Sequence, residues 1–576
     1  MPGPRNNPQQ RAARSAPGSP VTTRAEPVVR RYHQILLWPV QLMPLPGKRA
    51  GAHAHWELLA DAGGDCPWAE LADEFTGDAS QFQERHYREF VTFLPQVQRF
   101  LYGEGKGRGT PASESPIRVF RRHDVKQLRL VFPDARHEPV LFEVAHVDLL
   151  FYYDIDVAIL VVEISARDLP LVQVQRTLHR FGRTYPTSWS EDGSGEHCVA
   201  SAEWLSAHGE VLAASDFAQR EKFLSSVCRH RAAAIAAHWD FLMRPLVLHH
   251  SDEAGAIRFR QLEDHRMALA AYLALDDARA LTRGDFMRLA FTSAPGAAAS
   301  LPFSERRMRD FEQTYCIDRH WDEVAAGAPG VRYLCTGDAF VMVGEASDRY
   351  FVDAERGLLG HFRHQYFLLF LAPHFYKATL LMFSDRLVDA VNRLDVLDAE
   401  SVRRFKLTIR RQKEMFLRFA HRYWSLELTR VPLASEIFRQ CSELLGTERL
   451  YADVREEIED MSAYLDSDSL RRQANTVTRL TVVTAFGMIG TIATGFLGMN
   501  LIDEAANPFM TKLLYFALVF VPVALLTFYT ILKAKRLSDF LEALADERLP
   551  ARAKLGALLD VWRNRRAAGR RGGPTP

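Results

Sequence analysis

Five small or hydroxyl-bearing residues, Thr484, Gly487, Thr491, Gly495 and Gly498, recur at spacings of three and four in a charge-free stretch of the chain. On a helix that spacing draws a single stripe, with Leu480 and Met488 on or beside it. Such a stripe has two physical uses. It lets another helix approach closely, or it lines a water-filled path in which threonine hydroxyls meet hydrated solute. One helix cannot enclose a path, so the second use requires several copies of the chain. Upstream, Asp453, Glu456, Glu457, Glu459 and Asp460 crowd one segment, followed by Asp466 and Asp468. These carboxylates form either a solvated helix face or the wall of a cation pathway or intersubunit cation site.

Other chemistry-bearing residues carry less. His53 and His55, His249 and His250, and His361 and His364 look like metal pairs, but none has a neighbouring Cys, His or carboxylate set at ligand spacing. Gly103–Gly109 is glycine-rich without GK[ST] and reads as a flexible loop. No P-loop, GxGxxG or GxSxG is present, so no catalytic signature argues for an enzyme. The six cysteines are scattered without CxxC spacing, which suits buried free thiols in a reducing compartment.

The elements that hold the stripe are distinctive. Leu480–Ile502 is 23 residues without a charge, and Leu513–Leu532 is 20 more. As a helix the first would run about 34 Å, enough for a hydrocarbon core of about 30 Å. Together they predict a membrane hairpin: a first span over 479–502, an external loop over 503–512 and a second span over 513–532. Pro522 is tolerable there because neighbouring groups can satisfy the freed backbone. Arg471, Arg472 and Arg479 precede the first span, and Lys533, Lys535 and Arg536 follow the second. This places both termini in the cytoplasm. The apolar stretch Tyr366–Phe383 contains Pro373, His374 and Lys377, and reads instead as a buried or interfacial soluble helix.

The 576 residues sum to a net charge of +1, which hides unlike parts. Residues 1–31 carry +5, residues 533–576 carry +6, and the remainder carries −10. The ends read as a disordered basic extension and a basic cytoplasmic tail able to lie on anionic lipid. Between them, 32–357 reads as a cytoplasmic mixed α/β domain. Strands are expected at Gln34–Val40, Ile117–Phe120, Leu128–Phe132, Leu141–Ile164 (two strands), Val331–Val343 and Arg349–Val352. Helices are expected at Leu171–Phe181, Phe217–Phe241 and between Gln261 and Phe311. Linkers are expected at Gly103–Pro116, Gly193–Glu196 and Ala325–Gly330. Residues 358–478 read as helix throughout and end in a long stalk. There Leu444, Tyr451, Ile458 and Leu465 recur every seven residues with Val454 and Met461 between, a seam suited to packing on like helices.

At the outer end of the stripe stands Gly498-Met499-Asn500. With its place at the end of the first of two C-terminal spans, the acidic loop after it and the basic exit Lys533-Ala-Lys-Arg536, the chain resembles the CorA family of two-transmembrane GxN divalent-cation channels. The resemblance covers roughly Ser435–Arg536. It implies an α/β cytoplasmic domain, long stalk helices and a two-helix C-terminal transmembrane hairpin assembled as a funnel-like homopentamer in the bacterial inner membrane. By resemblance Gly498, Met499 and Asn500 form the selectivity filter. Leu480, Thr484, Met488, Thr491 and Gly495 line the pore. Cytoplasmic Mg²⁺, bound by carboxylates between subunits, closes it, and Asp453, Glu456, Glu457 and Asp460 are the candidates here. The soluble part is longer than is typical of the family.

The chemistry of the motif agrees. Mg²⁺ sheds water reluctantly, so a mouth that admits it should offer uncharged oxygens to the hydrated ion. A ring of Asn500 carbonyls above Gly498 carbonyls does that, and fixed charge there would bind too tightly for release. Asp503 and Glu504 outside raise the local cation concentration. Thr491 hydroxyls hand the ion inward, and Met488 and Leu480 make apolar constrictions that gate by excluding water. The reading is therefore a Mg²⁺ channel with no cofactor beyond the ion it carries and senses, no nucleic-acid partner, and itself and membrane lipid as partners. Two alternatives stand: transport of Zn²⁺, Co²⁺ or Ni²⁺, and a membrane-anchored cytoplasmic binding or signalling protein.

Overall fold

The computed structural model describes residues 26–45, 54–61, 63, 66–71, 75, 82–105, 115–297, 303–322, 330–396, 398–498 and 508–532. The chain divides into two compact units, Met1–Glu459 and Asp460–Pro576.

The first unit is built on a 14-stranded sheet. Its central strand, Val28–Leu42, lies antiparallel to Ile155–Pro170 on one side and to Ala268–Leu275 on the other, with Trp38 opposite Leu160 and His33 opposite Tyr272. Outward from Ile155–Pro170 come Ala135–Tyr152, Gln127–Phe132, Ser201–Leu205 and Val211–Ala214. Outward from Ala268–Leu275 come Ala339–Glu345, Val331–Cys335 and Cys316–His320. Pairing along this path is antiparallel except between Ala268–Leu275 and Ala339–Glu345. Pro39 sits inside the central strand, where a missing N–H is normally costly. It falls where the partner on one side changes from Ala268–Leu275 to Arg258–Gln261, so that side has no partner residue for it.

Both faces of the sheet are covered, which explains why Ile155–Pro170 is an almost unbroken apolar run. On one face Leu36, Trp38, Leu160 and Val162 join a core with Trp204 and Trp239, whose rings cross at 5.7 Å. On the other lies the helix Phe367–Asn392, with Phe375 stacked on Tyr152 at 3.7 Å. This helix continues, through a π-helical segment at Phe362–Tyr366, a run that begins at Leu358. Leu358–Asn392 is long and apolar enough to cross a membrane, yet most of it is buried inside the protein, in line with the soluble reading of Tyr366–Phe383.

A mixed α/β sheet domain followed by long helices is therefore the architecture, and from Leu358 onward the described residues form only helices and their connections. Several sequence expectations need correction. The middle of Gln261–Phe311 is the strand Ala268–Leu275 rather than helix. Its ALAAYLAL sequence has strong helix propensity, but it is paired on both edges and wholly buried, so tertiary context decides. Arg349–Val352 is a helical turn, capped by the Asp348 side chain accepting from the Tyr350 N–H. Phe217–Phe241 breaks into Arg220–His230 and Ala237–Met243, with Arg231 left-handed at φ 52°. Leu444 does not belong to the stalk seam: it lies on the helix Pro432–Leu445, which Gly446 ends in the left-handed conformation at φ 65°.

Candidate functional site

One helix, Thr447–Gly498, carries the stalk seam, the acidic segment and the small-residue stripe. No Pro or Gly interrupts it before Gly487, and a helix that long needs side-chain support rather than propensity alone. In the first unit the support is internal. Val454 and Ile458, one turn apart, are buried, and Tyr451 stacks on Trp424 at 4.4 Å and meets Phe416 at 5.3 Å. The start of the seam thus packs on its own chain.

Asp453, Glu456 and Glu457 lie on one helical face and are exposed, as is Asp460. Glu459 is engaged by Arg455 at 2.8 Å. Partial burial, and then the like charge of Asp453 one turn away, raise the Glu457 carboxyl above its ordinary value. Among the described residues no group of three or more His, Cys, Asp or Glu is placed to hold a metal ion. A single chain therefore presents these carboxylates as a charged surface.

The stripe is equally open. Thr484, Gly487, Met488, Thr491, Gly495 and Gly498 are all exposed. A methyl built on Gly487, Gly495 or Gly498 would meet nothing within 4 Å. Thr491 donates its hydroxyl to the Gly487 carbonyl at 2.9 Å. Leu480 lies on the same helix. The three glycines thus accommodate no close neighbour among the described residues of one chain. Met499, Asn500, Asp503 and Glu504 lie outside the described residues, as do the basic tail, most of Gly103–Pro116, and Ala325–Pro329. The second apolar segment is the helix Phe509–Leu532, with Pro522 inside it. Phe509, Met510, Leu514, Leu518 and Leu525 stand exposed along it, a surface that water does not favour.

Of the histidine pairs set aside above, His55 bonds the Met43 carbonyl at 2.9 Å and His364 pairs with Glu89 at 3.3 Å. All six cysteines are free thiols, but only Cys198, Cys335 and Cys441 are buried; Cys66 and Cys316 are half-buried and Cys228 is exposed. The sequence reading missed a buried charged cluster between the sheet and the long buried helix. Glu163 accepts from Arg363 at 2.6 Å, with His33 at 3.5 Å and His146 at 3.3 Å. Burial alone would raise this carboxyl. The close approach of His33 and the charges of His146 and Arg363 outweigh it and hold it at about 2. Its only sequence signal is a lone carboxylate within VAILVVEI.

Comparisons with known proteins add little. No family model matches the chain, and no curated protein does either. Two solved structures align with about half of it. A full-length CmaX protein is 14% identical, with 48% of this chain and 94% of that chain covered, at a TM-score of 0.19. The CorA magnesium transporter of Methanocaldococcus jannaschii is 12% identical, with 47% and 94% covered, also at 0.19. Superpositions that loose carry no argument about this chain, so the functional reading rests on its own residues.

Proposed function

We propose that this protein is an oligomeric channel-type transporter for divalent cations, with hydrated Mg²⁺ as the ion its residues suit best. The observation that carries the reading is the sequence Gly498-Met499-Asn500 at the end of the charge-free segment Leu480–Ile502, on which a methyl added at Gly487, Gly495 or Gly498 would meet nothing within 4 Å. The exposed stripe on Thr447–Gly498 makes sense once several copies surround a common axis; five copies is the number the family resemblance implies. The Phe509–Leu532 helix then faces lipid, which accounts for its exposed apolar side chains. Hydrated ions pass the Asn500 ring and descend past Thr491, Met488, Thr484 and Leu480. The membrane potential favours entry by about 2.3 kcal/mol per charge per 100 mV, doubled for a divalent ion. The exposed carboxylates Asp453, Glu456, Glu457 and Asp460 are suited to hold Mg²⁺ against a neighbouring copy and so to report its cytoplasmic level.

The test is flux into proteoliposomes containing the purified chain, under an imposed potential, with Mg²⁺ and then with Zn²⁺, Co²⁺ or Ni²⁺ in competition. Mg²⁺ entry that Asn500→Ala abolishes supports the reading. Wild-type flux in that variant removes the filter role from Asn500. Vesicles that pass no divalent ion favour the hairpin as a mere anchor.

A further inference from the structure

A concavity in the first unit is lined by residues of the sheet domain and of the helix Ala399–Arg422. Its volume is about 1120 Å³, and Trp56, Arg99, Arg118, Tyr153, Arg418 and Arg422 are among its lining residues. Arg418 and Arg422 are one turn apart on the helix Ala399–Arg422, so both present to the same side. They converge on one buried carboxylate. Asp154 Oδ2 accepts from Arg422 at 3.1 Å, and Arg418 pairs with Asp154 Oδ1 at 3.2 Å. Asp154 occupies the tight turn between two long strands at φ 64°, a conformation Asp tolerates better than most residues. The turn thus fixes the carboxylate, and the carboxylate fixes two guanidiniums at the cavity wall. Of the four arginines lining the space, Arg99 meets Glu104 at 4.0 Å and Arg118 meets Glu70 at 3.0 Å, while Arg418 and Arg422 share the single carboxylate of Asp154 and so keep a net positive charge between them. Half of the Arg418 side chain remains exposed despite its ion pair.

The opposite character comes from aromatic rings. Trp56 and Tyr153 lie 6.1 Å apart with their planes 38° from parallel, and the Arg422 guanidinium sits over the Tyr153 ring at 4.6 Å. Guanidinium forks match phosphate oxygens two at a time, and partly exposed aromatic faces take flat heterocycles by stacking. The volume is somewhat above the roughly 300–1,000 Å³ of ordinary small-molecule pockets, room enough for a ligand with both a base and a polyphosphate. We propose that this cavity binds a nucleoside polyphosphate, with its phosphates on Arg418, Arg422 and Arg118 and its base against Trp56 and Tyr153. The inference does not depend on the cation pathway, because every residue in it belongs to the sheet domain or the helices packed on it.

The experiment is calorimetric titration of the full-length chain in detergent micelles with ADP, with adenosine and with inorganic pyrophosphate. ADP should bind at least about tenfold more tightly than either part alone, since each part engages half of the site. Arg418→Ala, at a half-exposed side chain, should weaken ADP about tenfold. Asp154→Asn keeps a residue that tolerates the left-handed turn while removing negative charge, so it should tighten ADP severalfold. Trp56→Leu should reduce ADP to the level of pyrophosphate. Absence of ADP binding at millimolar concentration overturns the proposal. So does pyrophosphate binding as tightly as ADP, or an Asp154→Asn variant that folds and binds ADP no better than wild type.

Discussion

Gly495 separates the two meanings of the small-residue stripe. In the single chain its added methyl would meet no atom within 4 Å, so Gly495→Ala costs no clash. It gains the helix about 0.5–1 kcal/mol by removing backbone freedom from the unfolded state. Judged from one chain, Gly495→Ala is neutral or stabilising, and Gly495→Leu is tolerated. Judged from an assembly whose stripes face a central path, Ala remains tolerated but a ring of Leu narrows the path. A barrier raised by about 1.4 kcal/mol already lowers flux tenfold. If the stripe instead packs against a neighbouring helix, both variants disturb assembly before they disturb conduction. The assay pairs particle mass in detergent with Mg²⁺ entry into dye-loaded proteoliposomes. Gly495→Leu should assemble as wild type and conduct at most a tenth as fast, with Gly495→Ala close to wild type in both. A Leu variant that assembles and conducts normally refutes the pore assignment, and one that fails to assemble moves the stripe to helix packing.

Three further outcomes follow from the sheet domain. Glu163→Gln leaves Arg363 facing a neutral amide and should cost about 3 kcal/mol of unfolding free energy in denaturant titration, because breaking a buried pair exposes the desolvation of the remaining partner. Gly344→Ala places a methyl 2.4 Å from the Phe351 ring, which is buried and stacked on Tyr272 at 4.6 Å, so the ring cannot yield. The expected loss is about 1–3 kcal/mol by the same measurement. Burial pushes His179 down to about 4 and His238 and His374 down to about 3, all below the 6.5 of an unfolded chain. Their neutral forms therefore stabilise the fold fully above 6.5, and that stability is lost as pH falls from there toward 3. Each proton taken up on unfolding adds a slope of about 1.4 kcal/mol per pH unit. Unfolding followed by circular dichroism across this range should show the decline, and His374→Gln should flatten it.

The sequence made the long elements readable where one physical signal dominated. Leu171–Arg180 is strongly amphipathic, and the long helices after Leu358 keep an unbroken apolar pattern. The two strands within Leu141–Ile164 showed through their Val, Ile and aromatic content, with the Tyr153–Asp154 turn between them. Ala268–Leu275 was unreadable because its residues favour helix until two long-range partners enclose them. Leu444 fitted the seven-residue spacing by coincidence, since the spacing does not register the left-handed break at Gly446. For the candidate site, the stripe was legible because it is local to one helix. The Glu163 cluster and the arginine cavity were not, because each draws on residues more than a hundred positions apart.

The place of Val28–Leu42 at the centre of the sheet has a consequence for biosynthesis. This strand emerges early from the ribosome, but its two long partners, Ile155–Pro170 and Ala268–Leu275, follow much later. Until they arrive, an apolar, β-prone segment with the sequence ILLWPVQL has neither of its edges paired, which is the situation that invites aggregation. Pro39 interrupts that segment near its middle and blunts its ability to template strands of other chains. Both partners nevertheless precede the apolar segments after Leu480 by some two hundred residues. The sheet can therefore close in solution before the most hydrophobic part of the chain leaves the ribosome, so that the two hydrophobic problems of this protein are met one after the other.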